Sequence, residues 1–118
     1  MGRIGEDLAH RYLRKAKFEI LARRYRLPDG SGEVDIVARD GTTLVFVEVK
    51  TRQTSDYGSP ERAVGYEKEQ HIVKAARSYA LRAGADWNSV RFDIIAIVLT
   101  KPPSIAHFRD AFHPYRRI

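Results

Sequence analysis

The chain has 118 residues, of which 43% are hydrophobic and 31% charged, which suits one soluble globular domain over residues 1–118 and not a disordered segment. It contains no cysteine, so disulfides and thiolate metal sites are excluded. No apolar run approaches the roughly 20 residues needed to span a bilayer, and the start, Met1-Gly2-Arg3-Ile4-Gly5-Glu6, has no signal-peptide core. The expected location is cytoplasmic, with no membrane partner. Lys plus Arg number 21 against 15 Asp plus Glu, a net charge of +6. Such an excess favours polyanions, nucleic acid first, although small proteins are also basic for solubility alone.

Residues 3–17 predict an amphipathic helix, with Ile4, Leu8, Ala9, Tyr12, Leu13 and Ala16 at helical spacing. Glu6 falls at the edge of the apolar stripe, where an ordinary solvated carboxylate is expected. Arg11, Arg14, Lys15 and Lys17 line the outer side. Residues 18–26 predict a strand, and Leu27-Pro28-Asp29-Gly30-Ser31-Gly32 a loop dense in turn residues. The spacing of Asp29, Ser31, Glu33 and Asp35 suggests a calcium loop, but the glycine and the glutamate that such a loop requires are missing.

A hairpin over 33–51 follows, turning near Asp40-Gly41. Next comes a polar segment, Thr51 to Pro60, long enough to shape access to a neighbouring site. Residues 61–83 predict a helix with Ile72, Ala75, Ala76, Tyr79 and Ala80 as its buried stripe, Gly65 at an irregular start and Gly84 as the stop. Lys68 sits near its first turn and is expected to be solvated. The nearly continuous apolar run 90–99 predicts a strand covered on both faces, in which Asp93 is expected to pair with Arg91 or Arg109. A Lys-Pro-Pro turn leads to a last strand, 105–112, and a basic tail. The order α-β-β-β-α-β-β implies an α/β fold, a central mixed β-sheet flanked by helices.

Three charged residues stand inside the apolar runs of the hairpin: Asp35, Glu48 and Lys50. Burying a charge without a partner is costly, so their placement asks for a reason. Period-two alternation puts Leu44, Phe46, Glu48 and Lys50 on one face of the second strand. A two-residue loop at Asp40-Gly41 would set Asp35 across from Phe46 and diagonal to Glu48, roughly 7–8 Å away at Cα. A four-residue loop would set Asp35 directly across from Glu48. A three-residue loop would throw the two carboxylates to opposite faces, and a shared site excludes it.

Asp35 and Glu48 on one face offer two oxygen ligands to a hard cation such as Mg²⁺ or Mn²⁺. The Val49 carbonyl would add a third, and Glu6 would reach the ion through water. Lys50, one pleat beyond Glu48, would hold an attacking water or stabilise charge developing on phosphorus. Arg52 and Lys68 are the candidate nucleic-acid contacts. The competing expectation is an ion pair of Asp35 with Lys50 in a domain without catalysis, since Glu-x-Lys is a common pattern. Histidines 10, 71, 107 and 113 show no zinc-type pairing. Trp87 and the tyrosines are expected in the core.

Four motifs carry a family resemblance. They are Gly5-Glu6 with Ala9 and Tyr12-Leu13; Gly32-Glu33-Val34-Asp35-Ile36-Val37-Ala38; Val45-Phe46-Val47-Glu48-Val49-Lys50-Thr51-Arg52; and Arg91-Phe92-Asp93. With these the chain resembles the small bacterial YraN-like family of the restriction-endonuclease-like (PD-(D/E)xK) superfamily, over most of its length. It is also similar to archaeal-type Holliday junction resolvases. Val34 stands where the superfamily motif name has proline. The resemblance implies a restriction-endonuclease-like fold, a nuclease core of Asp35, Glu48 and Lys50 with Glu6 as accessory ligand, and DNA as partner. Branched or damaged DNA is the expected substrate, on which a two-fold homodimer would suit a symmetric junction. A nucleic-acid-binding module that keeps the fold without catalysis is the alternative.

Overall fold

The computed structural model describes residues 2–53 and 65–114. Its elements are α1 (Gly2–Lys15), β1 (Glu19–Arg26), β2 (Glu33–Asp40), β3 (Thr43–Arg52), α2 (Tyr66–Ala83), β4 (Arg91–Val98) and β5 (Ser104–Phe112). A 3₁₀ turn, Trp87–Ser89, precedes β4. This is the expected order α-β-β-β-α-β-β, and it builds an α/β fold compatible with a restriction-endonuclease-like one. The polar segment from residue 54 to residue 64, the start expected for the second helix, and the end of the basic tail lie outside the described residues.

The five strands lie in sequence order, β1-β2-β3-β4-β5. All neighbours are antiparallel except β3 and β4, which run parallel because α2 carries the chain back between them. Each helix covers one face. Ala9 and Leu13 of α1 pack with Phe18 on Ile36, Ala38, Val45, Val47, Ile95 and Ile97. On the other face Ile72, Ala75, Ala76 and Ala80 of α2 pack on Val37, Phe46, Phe92 and Ile94. The continuous apolar run of β4 follows from this arrangement, since both of its faces are buried.

Both helices stop in the same way. After α1, Lys17 takes a left-handed conformation (φ 74°), its N–H bonding the Arg14 carbonyl while Phe18 N–H bonds that of Leu13. After α2, Gly84 (φ 67°) does the same, with Ala85 N–H on the Ala80 carbonyl. A close approach locks α1 to the sheet: a Cβ on Gly5 would overlap the side chain of Thr51 in β3.

The β2–β3 register pairs Arg39 with Leu44 and Ile36 with Val47. That is the register of the expected four-residue loop, but Asp40 also pairs with Thr43, so only Gly41 and Thr42 remain outside the ladder. Gly41, at φ 63°, supplies the left-handed turn residue.

Candidate functional site

The sheet forks where the charged residues stand. The β2–β3 ladder ends at Ile36–Val47, whereas β3 continues along β4 as far as Arg52–Val98. The register extended by one row sets Asp35 opposite Glu48, at the opening of the fork. There the ladder bond is replaced by a side chain: Val49 N–H donates to Asp35 Oδ2 at 2.8 Å. On the other side of β2, Arg24 (φ 51°) drops out of the ladder between the pairs Arg23–Ile36 and Tyr25–Val34.

A pocket of about 290 Å³ occupies the fork, lined by Gly2, Glu6, Asp35, Glu48, Val49, Lys50, Thr51 and Lys68. It thus brings together six of the residues singled out in the sequence. Glu48 is the most buried of them, 4% exposed. Burial raises its pKa from the usual carboxylate range to about 8, and the neighbouring Asp35 carboxylate adds to the rise. Lys68, from the first turn of α2, opposes it with its Nζ 3.3 Å from Glu48 Oε2. Lys68 is exposed, as expected, but differs from a free lysine in pairing with Glu48, because the N-terminus of α2 docks over the sheet face that carries Glu48.

Glu6 likewise differs from the solvated carboxylate expected of it. It is 7% exposed, and Arg24 Nε contacts its two oxygens at 2.9 and 3.2 Å. The second guanidinium, Arg23 Nη2, lies 3.5 Å from Glu6 and 2.8 Å from Asp7. Sequence reasoning missed these two arginines. Their signal was a run of cations on an edge strand facing the acidic edge of α1. Glu6 lines the pocket, but among the described residues no group of three His, Asp or Glu gathers as a ready-made metal cage. The Asp35–Lys50 ion pair entertained from sequence does not form, since Asp35 bonds the β3 backbone instead. Arg52 lies beyond the pocket, its carbonyl accepting from Leu99 N–H.

Asp93 takes no part in this site. It is fully buried on the α1 face, where Arg91 binds it through Nε and Nη2 at 2.9 and 3.0 Å. His107 Nε2 lies 2.8 Å away, and Asp110 N–H donates at 3.0 Å. Burial alone would raise its pKa, but the bonds from His107 and Arg91 prevail and lower it. Of the two partners expected, Arg91 is the one used, and Arg109 goes to Asp40.

The α/β fold and its forked sheet are compatible with a restriction-endonuclease-like class of protein. The model of the Uncharacterised protein family UPF0102 matches residues 5–97, and the chain belongs to that family, the YraN family of its sequence resemblance. A UPF0102 protein of Solibacter usitatus is 53% identical over 111 residues, covering 94% of this chain and 84% of the relative. One of Geobacter sulfurreducens is 49% identical over 114 residues, with 95% and 88% covered. A third, from Rhodococcus jostii, is 46% identical over 114 residues, with 95% of each chain covered.

Proposed function

We propose that the chain is a metal-dependent nuclease that hydrolyses DNA phosphodiester bonds, with branched or damaged DNA as its substrate. The observation that carries the reading is the Asp35–Glu48 pair at the sheet fork. Two carboxylates share a pocket in which one of them is so poorly compensated that its pKa stands at about 8. Nothing in folding asks for this, and a divalent cation relieves it. The donor set of hard oxygens fits Mg²⁺ or Mn²⁺. Asp35 and Glu48 would hold it directly, together with the Val49 carbonyl, and Glu6 through water. When bound, the ion supplies charge stabilisation for a phosphate oxygen and acidifies a bound water.

The chain's own groups do the rest. The bond from Val49 N–H holds Asp35 in one orientation. Lys50 follows Glu48 by one pleat on the same face of β3, forms no ion pair among the described residues, and is placed to orient the attacking water or meet charge developing on phosphorus. Lys68, 3.3 Å from Glu48 Oε2, offsets only part of the burial of that carboxylate and is near enough to contact a phosphate. Arg52, further along β3, would meet the DNA backbone outside the pocket. A two-fold homodimer would offer two such pockets to a symmetric junction.

Labelled linear, nicked, flapped and four-way DNAs incubated with Mg²⁺ or Mn²⁺ test the proposal, beside Asp35→Ala and Lys50→Ala. Cleavage that both variants lose by at least about 100-fold is expected, as for removal of one charge-stabilising group. Cleavage persisting in both variants would sink the assignment. A second reading, a binding module without catalysis, draws on the engagement of Glu6 by Arg24 and of Glu48 by Lys68. Its mark would be salt-sensitive DNA binding that survives Asp35→Ala, with no cleavage by wild type.

A further inference from the structure

The groove between α1 and β1 is roomier than the pocket at the fork, and it is cationic. A cavity of about 410 Å³ adjoins that pocket at Glu6 and shares Asp7 and Arg23 with a larger one of about 530 Å³. A third, of about 520 Å³, shares His10 and Arg14 with the second. Through these shared residues the cavities follow one another from Glu6, at the edge of the fork, to the far end of α1, about 20 Å at the helical rise between Arg3 and Lys17.

Arg3, Arg23 and Arg24 line its near part. Arg11, Arg14, Lys15 and Lys17 line its far part. The acidic residues along the path are already engaged: Glu6 by Arg24, Asp7 by Arg23, and Glu19 by Arg39. The four far cations form no ion pair with a described residue. His10, whose Nδ1 has no hydrogen-bond partner, lies among them.

The backbone gives a second, independent sign. Of the three non-glycine residues with positive φ among the described residues, two lie on this path, Lys17 and Arg24. Glycine adopts that conformation at no steric cost and is the usual residue at a helix end such as Lys17. Both positions instead carry cationic side chains into the groove. Phe18 is the one Phe, Tyr or Trp among the described lining residues, and it is buried. The groove therefore offers phosphate-binding charge without an exposed platform of the kind on which bases stack.

We infer that the α1–β1 groove is the track for a single nucleic-acid strand leaving the site at the fork, held by its phosphodiester backbone without regard to sequence. The cations follow one path along α1, which matches one phosphate backbone and not the two of a duplex. The inference rests on the nuclease reading for where the track leads, but its test needs no cleavage.

A short fluorescein-labelled single strand, titrated in EDTA at several salt concentrations, is the probe. The triple variant Arg11→Gln, Arg14→Gln, Lys15→Gln changes only exposed positions to a good helix former. It is expected to bind at least about tenfold more weakly and to lose about 2 from the log–log salt slope, since each single-strand phosphate contact contributes about 0.7. Arg14→Gln alone is expected to lose about a third of that slope. The control variant Lys74→Gln, Arg82→Gln, on exposed positions of α2 across the sheet, is expected to bind like wild type. Undiminished binding by the triple variant, or no binding by wild type, overturns the track. A loss confined to duplex probes overturns the single-strand assignment. Cleavage is scored separately in Mg²⁺: its absence, with the binding loss intact, would remove the nuclease reading and leave the track standing.

Discussion

Glu48 carries the sharpest single-residue consequence. Its pKa is about 8 in the folded chain against an ordinary 4.5. Between those values the folded state holds a proton that the unfolded state has released, so stability falls as pH rises. Its contribution is fully present below about pH 4.5 and is lost as pH climbs through 8. In EDTA, Glu48→Gln is therefore expected to flatten the decline in stability between pH 5 and 8, by up to about 1.4 kcal/mol per pH unit. Urea unfolding at three pH values measures it, and parallel slopes for the two proteins would contradict the assignment. Under the metal-binding reading the same proton must leave when Mn²⁺ binds. Calorimetry in buffers of different ionisation enthalpy is expected to show close to one proton released at pH 7, and none from Glu48→Gln.

At the scale of elements, the position of α1 depends on Gly5. No side chain fits between this helix and Thr51. Because Glu6 is the next residue, the same contact sets how far its carboxylate reaches toward the fork. Gly5→Ala is expected to cost about 1–3 kcal/mol through overpacking. It should also shift α1 enough to weaken the contacts of Glu6 with Arg24. The hairpin is the other decisive element. One residue of slip between β2 and β3 would carry Glu48 to the opposite face from Asp35. Gly41 at φ 63° and the pair Asp40–Thr43 hold it in the register that brings the carboxylates together.

The whole molecule is tied across its α1 face by a polar chain that is buried at Asp93 and reaches the surface at Asp40. Tyr12 of α1 meets His107 of β5 at 3.2 Å, and His107 meets Asp93 of β4. Arg91 joins Asp93 to Asp40 at the end of β2, which Arg109 also contacts at 3.0 Å. Asp93→Asn would leave Arg91 and His107 facing a neutral group in the interior. A loss of about 3 kcal/mol is expected, the range for breaking a buried ion pair from one side. Since the pKa of Asp93 is lowered, its stabilisation is present above the ordinary carboxylate value and is lost as pH falls through the folded one. Acid unfolding of wild type and Asp93→Asn should accordingly converge at low pH. Divergence there would exclude this cause.

Much of the architecture follows from local pattern. Helical spacing places α1 and α2, the unbroken apolar run of β4 announces burial on both faces, and Gly84 marks the end of its helix. Period two in β3 puts Glu48 and Lys50 on one face, and the hairpin restricts Asp35 to a few registers. Selecting among those registers needed the folded ladder, because turn chemistry near Asp40-Gly41 allows several loop lengths. Tertiary structure alone decided that Glu6 meets Arg24 and that Lys68 meets Glu48, since both contacts join elements distant in the chain. The fork between β2 and β3 is of the same kind. It arises because β3 is longer than its pairing with β2 and keeps β4 as its partner, so the strand carrying Glu48 and Lys50 opens a pocket just where Asp35 stands.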